Sequence, residues 1–378
     1  PPTPTPARRL TPPRRPPPPK GAADPGFVPI SWDEALTEIS ENLGRYRQES
    51  GPESVAFAIT SGSSSSTSDS IDWLQRFVRG FGSPNTVFST EICNWHKDSA
   101  HAFTFGCGLP TAEYRQSDLI LLWGHNPANV WLAQAEAIGA ARGRGAKLAV
   151  IDPRQAGSAR DADLWLRIRP GTDGALALGL ARWLIANEAY DADFIRHWTN
   201  AAFLVREDNG LFLRPADIGM AGEGFVVWDR AFAQPVAAEG ALGEAALEGR
   251  FVVDGPAGPI ACRTAFDHYR AAAQPYDPAT VEAVTTIPAA QVEALARSIA
   301  GAGSVSYHGW TGIGQHTNAA QTERAIATLY ALTGHFDAPG GNVRMPALPA
   351  PSLHSMAMIP AQTRKKALGL DKRPIGPP

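Results

Sequence analysis

The sequence predicts an α/β protein: two doubly wound domains, the second inserted in the first, with a small β-rich insertion. Three observations carry this expectation. Short apolar strands at 119–123 (LILLW), 147–151 (KLAVI) and 164–168 (LWLRI) alternate with stretches of helical period. Each strand ends in a turn rich in Gly, Pro, Asn or Asp. A polar, Gly-rich interval at 203–260 then interrupts the alternation, and its Asn209-Gly210 pair marks a hairpin turn.

The 378 residues amount to two or three domain lengths, and 44% hydrophobic content suffices for a large core. A net charge of −3 leaves no electrostatic footprint for nucleic acid or an anionic membrane. The basic clusters (Arg8, Arg9, Arg14, Arg15; Arg364, Lys365, Lys366) read as solvated tails. Cysteines at 93, 107 and 262 form no C-x-x-C pair, so a disulfide framework or a metal–thiolate cage built from this chain alone is not expected. The best apolar run, Ala175 to Ile185, is broken by Arg182 and reads as a core helix rather than a membrane span. Without an initiator Met or a signal-peptide pattern the sequence reads as an internal fragment, and its compartment stays unassigned.

In chain order, residues 1–26 are dominated by Pro and Arg and are expected to be disordered or extended. Ser31-Trp32-Asp33-Glu34 reads as a capping box that starts a helix bearing Leu36, Ile39, Leu43 and Tyr46 at helical spacing. A buried strand at 54–59, a Gly/Ser/Thr loop at 60–68 able to admit a polyanion, a helix at 69–81 and a strand at 86–88 come next. Beyond the three strands lie helices at 132–142 and 174–187, and after the insertion at about 263–273 and 288–300. A strand at 304–307 leads into HGWTGIGQHTN, a helix at 319–332 and the loop HFDAPGGNV.

In a parallel sheet the turns Gly124-x-Asn126-Pro127, Asp152-Pro153-Arg154 and Gly171-Thr172-Asp173 share the carboxyl edge, where ligands bind. Gly124 and Gly171 would let phosphate approach backbone N–H groups, and Asn126 can both donate to and accept from a base edge. Asp152 comes after a strand where dinucleotide folds place an acid on ribose or purine donors. The absence of GxGxxG argues against an ordinary NAD fold. Gly312-Ile313-Gly314-Gln315-His316 adds close approach and polar atoms suited to a planar heterocycle. Cys93 keeps polar company (Glu91, Asn94, Trp95, His96, Asp98), which leaves open a nucleophile with His96 as base or a soft metal ligand. Cys107, Cys262, His101 and His125 read as structural.

Together WGHNPAN, VIDPR with DADLWLRIRPGTDGALALGLARWLI, GIGQHTN and LTGHFDAPGGNV resemble the molybdopterin oxidoreductase (DMSO reductase) superfamily over roughly 28–345. SWDEAL resembles the entry helix of its second domain. The resemblance implies Rossmann-like domains and a molybdenum- or tungsten-dependent oxidoreductase using bis-molybdopterin guanine dinucleotide. Cys93 falls where the protein's metal ligand sits, and His96 and His316 would be its catalytic neighbours. Gly124, Asn126, Asp152, Pro153, Arg154, Gly171 and Asp173 would hold one guanine dinucleotide, while Gly312, Gln315 and His316 would lie near the pterins and the metal. It further implies a 4Fe–4S cluster upstream of residue 1, a small-molecule substrate, a carboxyl-terminal domain beyond Pro378 and an electron-transfer subunit. Asn94 departs from the formate-dehydrogenase and nitrate-reductase patterns, and CNWHKD is nearer the polysulfide-reductase and acetylene-hydratase end. Alternatives are a non-redox hydratase on the same cofactor, or an NAD-type or Cys-nucleophile enzyme. The expected domains are 1–26 disordered, 27–92 with 303–345, 93–302, and a linker at 346–378.

Overall fold

A computed structural model describes residues 13–14, 28–59, 70–88, 95–345 and 352–369. The expected 60–68 loop and nearly all of the 1–26 segment lie outside them; Pro13–Arg14 is extended and pairs with Val28–Pro29. The chain divides into two compact units, 1–91 with 348–378, and 92–347.

In the smaller unit, Ser31 caps α1 (Trp32–Ser50): its hydroxyl accepts the Glu34 N–H at 3.1 Å, as the SWDE pattern predicts. The helical period of α1 does not translate into burial, for Ala35 is buried while Leu36, Ile39 and Tyr46 are exposed. The next strand is shorter than expected because Pro52–Ser54 forms a 3₁₀ turn, leaving β1 as Phe57–Ile59. β1 pairs in parallel with β2 (Thr86–Phe88), and α2 (Ile71–Phe81) lies between them in sequence. Instead of forming a linker, 352–369 belongs to this unit: Leu353 N–H donates to Asp72 at 2.9 Å, Arg76 donates to Leu353 O at 2.7 Å, and Ile359 is buried.

The larger unit opens with α3 (Trp95–Phe105) and is built on one parallel sheet. Its strands are β3 (Leu119–Trp123), β4 (Lys147–Ile151), β5 (Leu164–Leu166) and, far along the chain, Val305–Gly309, in the spatial order Val305–Gly309, β3, β4, β5. The sheet is covered on both faces. Ile120, Leu122, Leu148 and Val150 pack with Ile138 and Ala141 of α4 (Leu132–Gly143). Leu119, Leu121, Trp123 and Ile151 pack instead with Leu176 and Leu180 of α5 (Asp173–Ala186) and with later helices. Period-two alternation within fully buried strands thus feeds two separate cores.

The 203–260 interval is antiparallel, as expected. β6 (Leu204–Arg206), β7 (Val226–Asp229), β8 (Gln234–Ala237), β9 (Arg250–Gly255) and β10 (Gly258–Thr264) form two small sheets around Leu204, Val226, Val253 and Cys262. Gly210, at φ 71°, makes the turn beside Asn209, whose side chain accepts the Leu211 N–H. Helices α6 (Ala265–Ala273), α7 (Pro278–Thr285) and α8 (Ala289–Gly301) come next, the middle one started by an Asp277 cap and a Pro at its first position. β11 (Val305–Gly309) and α9 (Ala319–Leu332) follow, and beyond them Asn342–Val343 pairs antiparallel with Thr111–Ala112. Because β11 pairs with β3 along its full length, 303–345 belongs with the sheet of this unit and not with 27–92 as the sequence suggested.

Candidate functional site

All four strands point their carboxyl ends the same way, so the turns after Trp123, Ile151, Leu166 and Gly309 meet on one edge. There Gly124 touches Gly312. A Cβ on Gly124 would lie 2.9 Å from Gly312 Cα, one on Gly312 would lie 2.6 Å from Gly124 Cα, and Gly312 N–H donates to Gly124 O at 3.1 Å. The Gly124 N–H is itself committed to Ile151 O. These glycines therefore let two loops close on each other, a different use from the phosphate approach expected of Gly124.

The expected polar residues are held by local bonds that fix their free atoms. Asn126 Oδ1 accepts the Ser158 N–H at 3.2 Å, and its amide packs on Gly157. Asp152 Oδ1 accepts the Arg154 N–H at 2.8 Å, closing the turn around Pro153, while Trp165 Nε1–H donates to Asp152 O. Asp173, buried at the first turn of α5, accepts Trp123 Nε1–H at 2.7 Å, and burial raises its pKa. Gly171, at φ 82°, leaves space that His316 fills: a Cβ there would lie 3.1 Å from Nδ1. Gln315 is exposed on the same loop.

Gly124, Asn126, Asp152, Pro153, Arg154, Asp173 and Gly312 line one cavity of about 320 Å³ with Val130, Trp310 and Thr311. A neighbouring cavity of about 530 Å³ shares Pro153, Ile168 and Pro170, and adds Trp165, Arg167, Arg169 and Gln291. Seven of the expected residues thus meet in one place. Gly171 and His316 sit beside Asp173, as the electrostatic coupling of His316 to Asp173 shows.

Cys93 lies outside the described residues, as do Glu91 and Asn94. The helix just after them is described. Within it His96 is buried, its ring against Gly314; one ring nitrogen bonds the Trp310 backbone and Nε2 has no partner among the described residues. Burial, assisted by the charge of Lys97, pushes its pKa down to about 4, so the ring is neutral and Nε2 is free to accept. His101 bonds Lys97 O and the Tyr330 hydroxyl, both at 2.8 Å, which fits the structural role expected. Cys262 is a core thiol whose pKa burial raises to about 11. Among the described residues no group of three or more His, Cys, Asp or Glu could hold a metal.

Sequence reasoning missed a second layer under this edge. Lys97 is fully buried, with Nζ 3.0 Å from the centroid of the Trp310 ring. His125 and His308 stack at 4.3 Å, tied outward to Gln134 and Tyr114, while His125 Nδ1 and His308 Nε2 have no partner among the described residues. Glu323 on α9 is fully buried, and neither of its oxygens is hydrogen-bonded among the described residues. One signal was readable: Glu323 shares its helical stripe with Ala319, Thr322, Ile326, Ala327 and Tyr330, where only a partnered or functional acid belongs.

Buried polar atoms without partners call for a ligand or water. Here His96, His125 and His308 lie against Trp310 of the smaller cavity's wall and Glu323 against Gly309 just before it. The two cavities share Pro153, Ile168 and Pro170, and their walls offer carboxylates, exposed guanidinia and backbone, so the residues fit an elongated, polar, phosphate-bearing cofactor. A molybdopterin oxidoreductase family model matches residues 8–370. A sulfite dehydrogenase subunit of Allochromatium vinosum is 28% identical over 376 residues, spanning 88% of this chain and 37% of that protein. The acetylene hydratase of Syntrophotalea acetylenica is 37% identical over 170 residues, spanning 45% of this chain and 23% of its own. The solved structure of acetylene hydratase from Pelobacter acetylenicus superposes with a TM-score of 0.56 at 24% identity, over 82% of this chain and 33% of that one, and shares its fold. The chain thus spans less than two-fifths of the length of each of these relatives. With the family model covering nearly the whole sequence and the fold shared, this chain belongs to the molybdopterin oxidoreductase family.

Proposed function

We propose that this chain is part of the catalytic subunit of a molybdenum- or tungsten-dependent oxidoreductase that holds a bis-molybdopterin guanine dinucleotide, with Cys93 as its protein ligand to the metal. The carrying observation is the convergence of Gly124, Asn126, Asp152, Arg154, Asp173 and Gly312 on one cavity at the carboxyl edge of a parallel sheet. When bound, the cofactor supplies a metal that changes oxidation state and exchanges oxygen, sulfur or hydride equivalents with a small molecule.

The chain's own residues would bind and orient it. Asp173, fixed by Trp123, would accept from the N–H groups of a guanine edge. The second oxygen of Asp152 would accept from a ribose hydroxyl, and Arg154, Arg167 and Arg169 would offset phosphate charge. Asn126, Pro153 and Gly171 would shape the walls; Gly312, Gln315 and His316 would face the pterin side. His96, neutral with Nε2 free, would accept a proton near Cys93. In the same reading the two units are doubly wound halves of a Rossmann-like pair, a 4Fe–4S cluster is bound by sequence upstream, and a further subunit takes the electrons. That the sulfite dehydrogenase relative is itself named as one subunit supports the last point.

Likeness to an acetylene hydratase favours a second reading, non-redox hydration on the same cofactor. Turnover without any electron acceptor would select it. Elemental analysis of the full-length protein tests the main proposal, which expects stoichiometric Mo or W; neither metal, with pterin supply intact, overturns it. Cys93→Ala should change the metal's spectrum while guanine nucleotide stays bound, and an unchanged spectrum would remove Cys93 as ligand.

A further inference from the structure

We infer that Glu323 is the proton store of the candidate site, taking up a proton when negative charge enters the cavity lined by Trp310–Gly312 and releasing it when that charge leaves. The inference rests on the reading that this cavity receives a polyanionic nucleotide. Glu323 sits on the inward stripe of α9, wholly buried, with no hydrogen-bond donor on either oxygen among the described residues. A Cβ on Gly309 would fall 2.8 Å from its Oε2, so the carboxyl lies against the last residue of β11, one position before the cavity wall begins. Burial without donors favours the neutral acid, because an ionised carboxylate there has lost water and gained no hydrogen bond in exchange.

The surrounding charges poise it. Lys97 of α3, beneath the Trp310 ring, favours the anion; Asp98 of α3 and Asp173 of α5 oppose it; Tyr330 on its own helix also lies within electrostatic reach. Burial first, then the two acids, against Lys97, bring the carboxyl up to about 7. Asp173 lines the cavity and couples to Glu323, so charge arriving there is felt by the buried acid. A phosphate in the cavity adds negative potential and favours the protonated form. A carboxylate serving only as the counter-ion of Lys97 would stay ionised throughout, and that difference can be measured.

Infrared spectroscopy of the full-length protein, produced in cells unable to make molybdopterin, provides the test. Wild type should show a protonated-carboxyl band that titrates between about pH 6 and 8, is absent in Glu323→Gln, and moves its midpoint upward with saturating GDP. Calorimetry in buffers of different protonation enthalpy should show net proton uptake on GDP binding that is smaller in Glu323→Gln. No such band, or a midpoint that bound GDP leaves unmoved, overturns the inference. Should Glu323→Gln not fold, isotope editing of glutamate carboxyls in the wild type identifies the band. Failure of GDP to bind would overturn the nucleotide reading, whereas binding without proton uptake would overturn the role of Glu323 alone.

Discussion

The contact between Gly124 and Gly312 makes a prediction whose sign is set by geometry. In Gly312→Ala the new Cβ would lie 2.6 Å from Gly124 Cα and 2.7 Å from Gly124 O. Both are backbone atoms of a turn tied to Ile151, so neither can rotate away as a side chain would. Overpacking of this kind costs about 1–3 kcal/mol. Gly124→Ala meets the same wall and adds a left-handed φ of 57°, for about 1–2 kcal/mol more. Gly139, inside α4, has no atom within 4 Å of the place a methyl would take, so Gly139→Ala should stabilise by up to about 1 kcal/mol through helix propensity alone. Denaturant unfolding followed by circular dichroism reads all three, with the slope unchanged if only stability moves. Gly312→Ala within about 0.5 kcal/mol of wild type would refute the loop-closure account. So would a variant of undiminished stability that no longer binds GDP, for then the glycine serves the ligand and not the neighbouring loop.

The buried polar layer supplies the other expected outcomes. Trp123→Phe removes the 2.7 Å donor to buried Asp173 and should cost about 1.5–3 kcal/mol in unfolding experiments. Glu323 loses its proton near 4.5 when unfolded and near 7 when folded, so wild-type stability should fall by about 3 kcal/mol as pH rises through that window. Urea titrations of Glu323→Gln should show that slope flattened, and an equal slope would show the acid to be ionised in the fold. His96, His101 and His125 are depressed in the opposite sense, to about 4. The unfolded chain protonates them near 6.5, so stability should be full above that pH and fall towards 4, by up to about 1.4 kcal/mol per pH unit for each ring; His125→Asn should lessen the loss measured by thermal unfolding.

Much of the larger unit was legible because its signals are local. Continuous apolar strands, helix periods and turn residues gave the elements from 119 to 186 to within a residue or two at most ends, and α9 at 319–332 as expected. The shared cavity was legible from three strand ends on one edge, once the strands were taken as parallel. The features that stayed hidden depend on contacts distant in sequence. That β11 would pair with β3, some 186 residues away, is not written in its period. Nor could spacing reveal that Gly124 opposes Gly312, or that Lys97 lies under Trp310. The exposed Leu36, Ile39 and Tyr46 show the converse: a helical period announces a face and says nothing of what covers it.

The return of 352–369 to the smaller unit has a consequence for biosynthesis. Leu353 reaches back 281 residues to Asp72, and Leu368 reaches back 283 to Asn85. A ribosome delivers the chain in one direction, so the start of this unit must wait while all of 92–347 is made. The larger unit is contiguous and can close on its own contacts during that wait. The smaller one carries the high loop-closure cost and is the part expected to depend on chaperones while its Ile359 site stands empty.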